Sequence, residues 1–126
     1  MNSRLLSPIW LLVSLTLLGP AGCGRSPAPL PPLAAEQIPA EMERAFSNAR
    51  PEVRDAIGRI TAALQAKDNP AAYQEVQALC KLPGQTKPQR LLAARALLTV
   101  TGLLQASQAQ GDPEAAAALK LRRLTR

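Results

Sequence analysis

Histidine is absent from this chain, and with it go the commonest general base and the commonest metal ligand. No Ser–His or Cys–His nucleophile pair can be assembled. The two cysteines, Cys23 and Cys80, cannot build a structural zinc site alone. Aromatic residues are as scarce, with Trp10, Phe46 and Tyr73 the full set. That scarcity argues against nucleic acid, whose single strands are held by stacking on such rings. The seven glycines are scattered and form no phosphate-cradling loop. Glu41, Glu43, Glu52, Asp55 and Glu75 stand near basic residues on faces expected to be solvated. The chain therefore reads as non-catalytic, with no metal, no cofactor and no small-molecule substrate evident.

What remains is 126 residues, 47% hydrophobic, with a formal charge of +6 and twelve prolines. The length suits one small domain. The proline count is about twice average usage, so the chain is not expected to be uniform along its length.

Residues 1–22 carry the three parts of a secretory signal: Arg4, an apolar run over residues 5–18, and the small residues Gly19, Ala21 and Gly22. A membrane span needs ~20 apolar residues, and this run also contains Pro8, so a retained anchor is the weaker reading. Ala21-Gly22-Cys23 resembles the bacterial lipobox, with Pro20 standing where Leu is usual. The resemblance to a bacterial lipoprotein implies a covalent lipid on Cys23, cleavage before it, and anchoring by acyl chains. Each buried methylene of such a chain contributes ~0.8 kcal/mol. Gly24 rather than Asp follows the cysteine, which under the sorting rule of many two-membrane bacteria implies the outer membrane, on its periplasmic face. Cleavage after Ala21 is the alternative; it would release a soluble chain whose Cys23 could pair with Cys80 in an oxidising compartment. Cys80 itself is expected to be a small apolar core residue.

Residues 23–38 follow as a tether containing Pro27, Pro29, Pro31 and Pro32. Such a stretch favours polyproline II at ~3.1 Å per residue, a semi-rigid spacer.

Residues 39–126 are predicted to be all-α, a small antiparallel helical bundle of about four helices, since Ala, Leu, Gln and Arg dominate and strand signals are nearly absent. Pro39 opens a segment with Met42, Ala45, Phe46 and Ala49 on one face; Pro51 interrupts it. Val53, Ile57 or Ala56, Ile60 and Leu64 make a second stripe, with Asp55 and Arg59 spaced to pair. Asn69 is the expected N-cap before Pro70, with Tyr73, Val76, Leu79 and Cys80 lining the next helix. Thr86 and Gln89 fit a capping box. The leucines from Leu91 to Leu104 surround the helix that follows, which predicts a central, buried element. After Gly111 and Asp112-Pro113, the residues Ala117, Leu121 and Leu124 form the last stripe. Asn69-Pro70-Ala71-Ala72 and Asp112-Pro113-Glu114-Ala115, each after a Leu-Gln-Ala segment, weakly resemble the helical hairpins of tetratricopeptide-type repeats, although the spacing is longer than the usual ~34 residues. Any well-capped antiparallel bundle would show the same pattern.

Charge is polarised. From Cys80 onward eight bases face only Asp112 and Glu114, whereas the stretch from Cys23 to Leu79 has six bases and seven acids. Lys120, Arg122, Arg123 and Arg126 at the C-terminal end suit the negative end of a helix dipole. They are also candidates for binding an anionic surface. The sequence thus points to a cell-envelope lipoprotein whose helical domain binds a protein partner or scaffolds the envelope. The alternative is a soluble exported helical protein whose basic end binds anionic lipid or an acidic ligand. Mass spectrometry of the mature protein should find diacylglyceryl-Cys23; an unmodified N-terminus at Gly22 would remove the anchor.

Overall fold

The computed structural model describes residues 28–125. The expected signal peptide, Cys23 and its lipid, the first part of the tether, and Arg126 lie outside the described residues. A 3-10 turn at Ala35–Gln37 leads into five helices: α1 (Ile38–Ala45), α2 (Pro51–Gln65), α3 (Asn69–Lys81), α4 (Lys87–Ala109) and α5 (Pro113–Leu124). The class is the expected one, all-α; the helix expected from Pro39 is short, ending at Ala45, and four longer helices follow it, one more than the expected total of about four. Every α-helix has a proline at its first or second position. A proline costs nothing there, because its missing N–H would have no partner inside the helix anyway.

From α2 onward the helices form successive antiparallel hairpins. α3 lies between α2 and α4, α5 covers α4 and one edge of α3, and α1 bridges α2 and α4. The fully buried side chains include Ile38, Met42, Phe46, Ile60, Leu79 and Leu104. Val53, Ala56, Ile57 and Ile60 of α2 and Tyr73, Val76 and Leu79 of α3 are buried as their spacing implied.

Several expectations are corrected. α4 is central, yet its inward stripe is Ala93, Ala96, Val100 and Leu104, while Leu91 and Leu98 stand exposed. A helix apolar on most sides need not be buried on all of them; only the arc touching neighbours is. For the same reason α5 buries Ala115, Ala118 and Leu119, leaving Ala117, Leu121 and Leu124 exposed. Arg59 does not pair with Asp55 but donates to Glu75 of α3 at 3.0 Å, linking two helices. Both partners retain solvent contact, so the pair contributes well under about 1 kcal/mol.

The tether also ends sooner than its proline content implied. Leu33 and Ile38, placed in the spacer by sequence, are buried in the core. The chain before them is pinned to α4: Arg95 Nε donates to the Pro31 carbonyl at 2.9 Å, and the Thr99 hydroxyl donates to the Leu33 carbonyl. Ala34 keeps polyproline II geometry (φ −63, ψ 139). Prolines fix this geometry locally, but docking depends on Leu33 and Ile38 having a surface to cover.

The α2–α3 and α4–α5 turns share one design. Asp68 N–H bonds the Ala63 carbonyl and Lys67 N–H the Leu64 carbonyl; Asp112 N–H bonds Ser107 and Gly111 N–H bonds Gln108 in the same way. Lys67 (φ 55) and Gly111 (φ 90) supply the left-handed residue that this helix ending requires. Asp68 and Asp112 then cap the next helix, accepting from Ala71 N–H and from Glu114 and Ala115 N–H respectively. The cap of α3 is therefore Asp68, not Asn69. Asn69 lies inside the helix, and its amide donates to the Ser107 hydroxyl across the hairpin at 2.6 Å. Asp and Asn are nearly equal as caps, so which of two adjacent ones serves depends on where the preceding turn ends.

A Cβ added at Gly111 would meet nothing within 4 Å, so Gly111→Ala carries only a conformational penalty of about 1 kcal/mol. Lys67→Gly relieves that penalty and should leave stability unchanged or higher. Urea unfolding of both variants checks this; equal losses at the two positions would show that the turns are not equivalent.

Candidate functional site: an apolar cleft and a basic face

Two surfaces stand out. The first is a cleft of about 700 Å³ where the 3-10 turn and α1 lean over the end of α2. Its walls are Ala35, Pro39 and Ala40 on one side and Thr61, Leu64 and Leu103 on the other, with Glu36, Glu43 and Lys67 also lining it. Small residues on the α1 side are what keep it open. The Thr61 hydroxyl is buried at this wall without a hydrogen-bond partner. The lining offers apolar contact and a mixed-charge border, which suits inserted side chains of another protein.

Residues of the 3-10 turn, α1, α2, the α2–α3 turn, α3 and α4 build this cleft, and sequence reading missed it. Leu103 was counted with the leucines of a buried helix, and Ala35 lay in the assigned spacer. The available signal is two small residues, Ala35 and Ala40, on either side of Pro39, which have no periodic meaning until their neighbours are known.

The connection from α3 to α4 is closed by its own hydrogen bonds, away from this cleft. Gln85 is buried, and its amide donates to the carbonyls of Leu79 and Leu82, satisfying the end of α3. Arg90 Nη1 returns to the Gln85 carbonyl at 2.6 Å, and Arg50 Nη2 donates to the Pro83 carbonyl at 3.1 Å. Thr86 and Gln89 form the anticipated capping box. Gln89 also donates to the Ala45 carbonyl at 2.9 Å, tying the end of α1 to the start of α4. One amide thus caps α4 with its oxygen and holds α1 with its nitrogen.

The second surface is basic. Lys120 and Arg123 are exposed on α5, and Arg122 is half-buried; Arg126 lies outside the described residues. Arg122 and Arg123 border a shallow hollow with Gln105, Gln108 and Leu119, about 300 Å³ and free of carboxylates. Among the described residues, no ion pair engages Lys120, Arg122 or Arg123. Two successive antiparallel hairpins leave α3 and α5 parallel, and a second hollow between them is lined by Tyr73, Gln77 and Lys81 with Ala118, Arg122 and Thr125. Lys81 therefore joins the basic end of α5. Among the described residues no group of three or more His, Cys, Asp or Glu is arranged to hold a metal, and no helix is long and apolar enough to cross a membrane.

Cys80 is exposed rather than in the core. It follows Leu79 on α3, and the helical turn that buries Leu79 carries the next residue outward. Its thiol is still partly desolvated, which pushes its pKa above the ordinary thiol range. No family model, no characterised protein and no solved structure matches this chain.

Because the neutral thiol is favoured in the folded protein, Cys80 should be alkylated more slowly at neutral pH than a free thiol, despite its exposure. The stability contribution is fully present below the unfolded-state thiol pKa and is lost as pH rises through the folded one. A rate at pH 7 equal to that of the urea-unfolded chain would contradict this; iodoacetamide kinetics followed by mass give the answer.

Proposed function

We propose that this protein is a small, non-catalytic helical interaction module of the bacterial cell envelope, anchored by acyl chains on Cys23 and spaced from the membrane by its proline-rich segment. The signal-like N-terminus and the Ala21-Gly22-Cys23 pattern support the address. The cleft between α1, α2 and α4 carries the functional half of the reading. It is large enough for two or three side chains, and it sets aliphatic Ala35, Pro39, Ala40, Leu64 and Leu103 among six polar or charged side chains. Docking of the chain from Pro31 onward shortens the spacer to residues 24–30, which in polyproline II would reach roughly 20 Å. The module would then work close to the membrane that holds it, on the outer membrane's periplasmic face if Gly24 after the cysteine is read by the usual sorting rule.

A second reading has one observation in its favour. Lys120, Arg122 and Arg123 have no acidic partners among the described residues, which suits a soluble exported protein that meets anionic lipid or an acidic ligand through this end.

The interaction reading is tested by placing a photo-crosslinking residue at exposed Ala40, on the cleft, or at exposed Gly58, on the outer face of α2. In the native envelope, position 40 should give a discrete protein adduct and position 58 should not. Leu103→Gln should weaken the adduct at position 40 severalfold. An identical pattern from both positions, or no adduct at 40, would remove the cleft as the binding site.

A further inference from the structure

Positive charge and exposed leucine fall on the same part of this surface. Between Cys80 and Gly111 the sequence contains no acid, so Lys87, Arg90 and Arg95 have no counter-charge on α4. Lys87, Leu91, Arg95 and Leu98 follow at i, i+4, i+8 and i+11, which places them within an arc of about 80° on an α-helix. Leu91 is 41% and Leu98 49% exposed. On one flank of this arc the chain approaches: Leu30, 40% exposed, precedes Pro31, whose carbonyl is held by Arg95. Beyond Leu98 on the same arc is Gln105, which borders the hollow shared with Arg122 and Arg123 of α5. The two acids of this half of the sequence, Asp112 and Glu114, sit at the opposite end of α5, where Asp112 is engaged as a cap.

We propose that this face docks on an anionic lipid bilayer. Leu91 and Leu98 enter the headgroup region, while Lys87, Arg95, Arg122 and Arg123 meet lipid phosphates. Bases alternating with leucines along roughly 16 Å of helix suit an extended surface that is negative outside and apolar beneath. A soluble anion would need all four bases converging on one point; Arg122 and Arg123 share a hollow beside Gln105, but Lys87 lies about 27 Å of helix away from that residue. Pro31, held by Arg95 at the flank of this face, is only eight residues from Cys23 in the sequence, so an anchor at Cys23 would keep the face near the membrane it enters. The inference rests on the anchored reading for how the protein arrives, whereas the docking itself is a separate, electrostatic event.

Gly102 continues the α4 arc and Gly58 lies on α2; at either, an added Cβ would meet nothing within 4 Å. Full-length protein in a Cys80→Ser background is labelled with an environment-sensitive fluorophore at Gly102→Cys or Gly58→Cys. It is then incorporated into phosphatidylcholine vesicles or into vesicles also containing phosphatidylglycerol. The label at 102 should shift to the blue and be quenched by spin-labelled lipid on the anionic vesicles only; the label at 58 should stay unchanged on both. Lys87→Glu with Arg123→Glu should reduce the docked fraction's association by about tenfold or more, and Leu91→Ser with Leu98→Ser should remove the blue shift. Equal signals at 102 on the two vesicle types, or equal signals at 102 and 58, would overturn the proposal. So would a shift at 102 that grows with protein concentration in the absence of lipid, which would assign the face to a second copy of the chain. The mass of the labelled protein reports the anchor independently. One label per chain means the Cys23 thiol is blocked, and two mean it is free, so the anchored reading can fail while the docking result stands.

Discussion

The close approach of α4 to α3 is the contact on which the other features depend. α4 presents Ala93, Ala96, Val100 and Leu104 inward, and α3 answers with Ala72, Val76 and Leu79. Small side chains let the two backbones approach, but each buries little area. The domain compensates by drawing in side chains from outside the main hairpins: Leu33, Ile38, Met42 and Phe46 of the N-terminal segments are all buried against the cluster. A fully buried residue of this kind contributes roughly 1.5–3 kcal/mol, which makes the segment before α1 a structural part of the domain. The same economy leaves Leu91 and Leu98 of α4 facing outward.

Polar groups then hold the pieces in register. Gln89 joins α1 to α4 while capping α4. Gln85 closes the end of α3 from inside the fold. Asn69 and Ser107 fix α3 against the end of α4, and Arg95 and Thr99 fix the incoming chain along its flank. Each bond adds little net stability, since water would otherwise satisfy the same groups. Their value lies in direction: an aliphatic core with two aromatic side chains has few features that select one helix arrangement over another.

How much of this was legible in the sequence varies by element. Helix starts were readable because proline in the first turn and an Asp or Thr cap act through local geometry. The capping box at Thr86 and Gln89 needed no knowledge of the fold, and neither did the turn at Gly111. The stripes of α2 and α3 were readable because one face is apolar and the other charged. α4 and α5 lack that contrast, so their buried arcs could not be identified by period alone, and the positions of Leu91, Leu98, Leu121 and Leu124 were misjudged. Lys67 in a left-handed conformation had no composition signal; its role emerged only from the hydrogen bonds it shares with the Gly111 turn. The cleft was invisible because its walls belong to segments far apart in the chain.

The sequence by itself determined the all-α class, the prolines that open the helices and the imbalance of charge toward the C-terminal half. These depend on residue type and short-range spacing, where backbone sterics and local hydrogen bonds decide. Missing histidine and scarce aromatics narrowed the chemistry before any helix was placed. Tertiary structure alone decided which arc of α4 is buried, that Leu33 and Ile38 belong to the core, that Arg59 reaches Glu75, and that Lys81 of α3 and Arg122 of α5 line one hollow. Those outcomes depend on which faces meet, and two helices with the same composition can meet along different arcs. Packing chose the arc of Ala93, Ala96, Val100 and Leu104, and so left Leu91 and Leu98 at the surface beside Lys87 and Arg95.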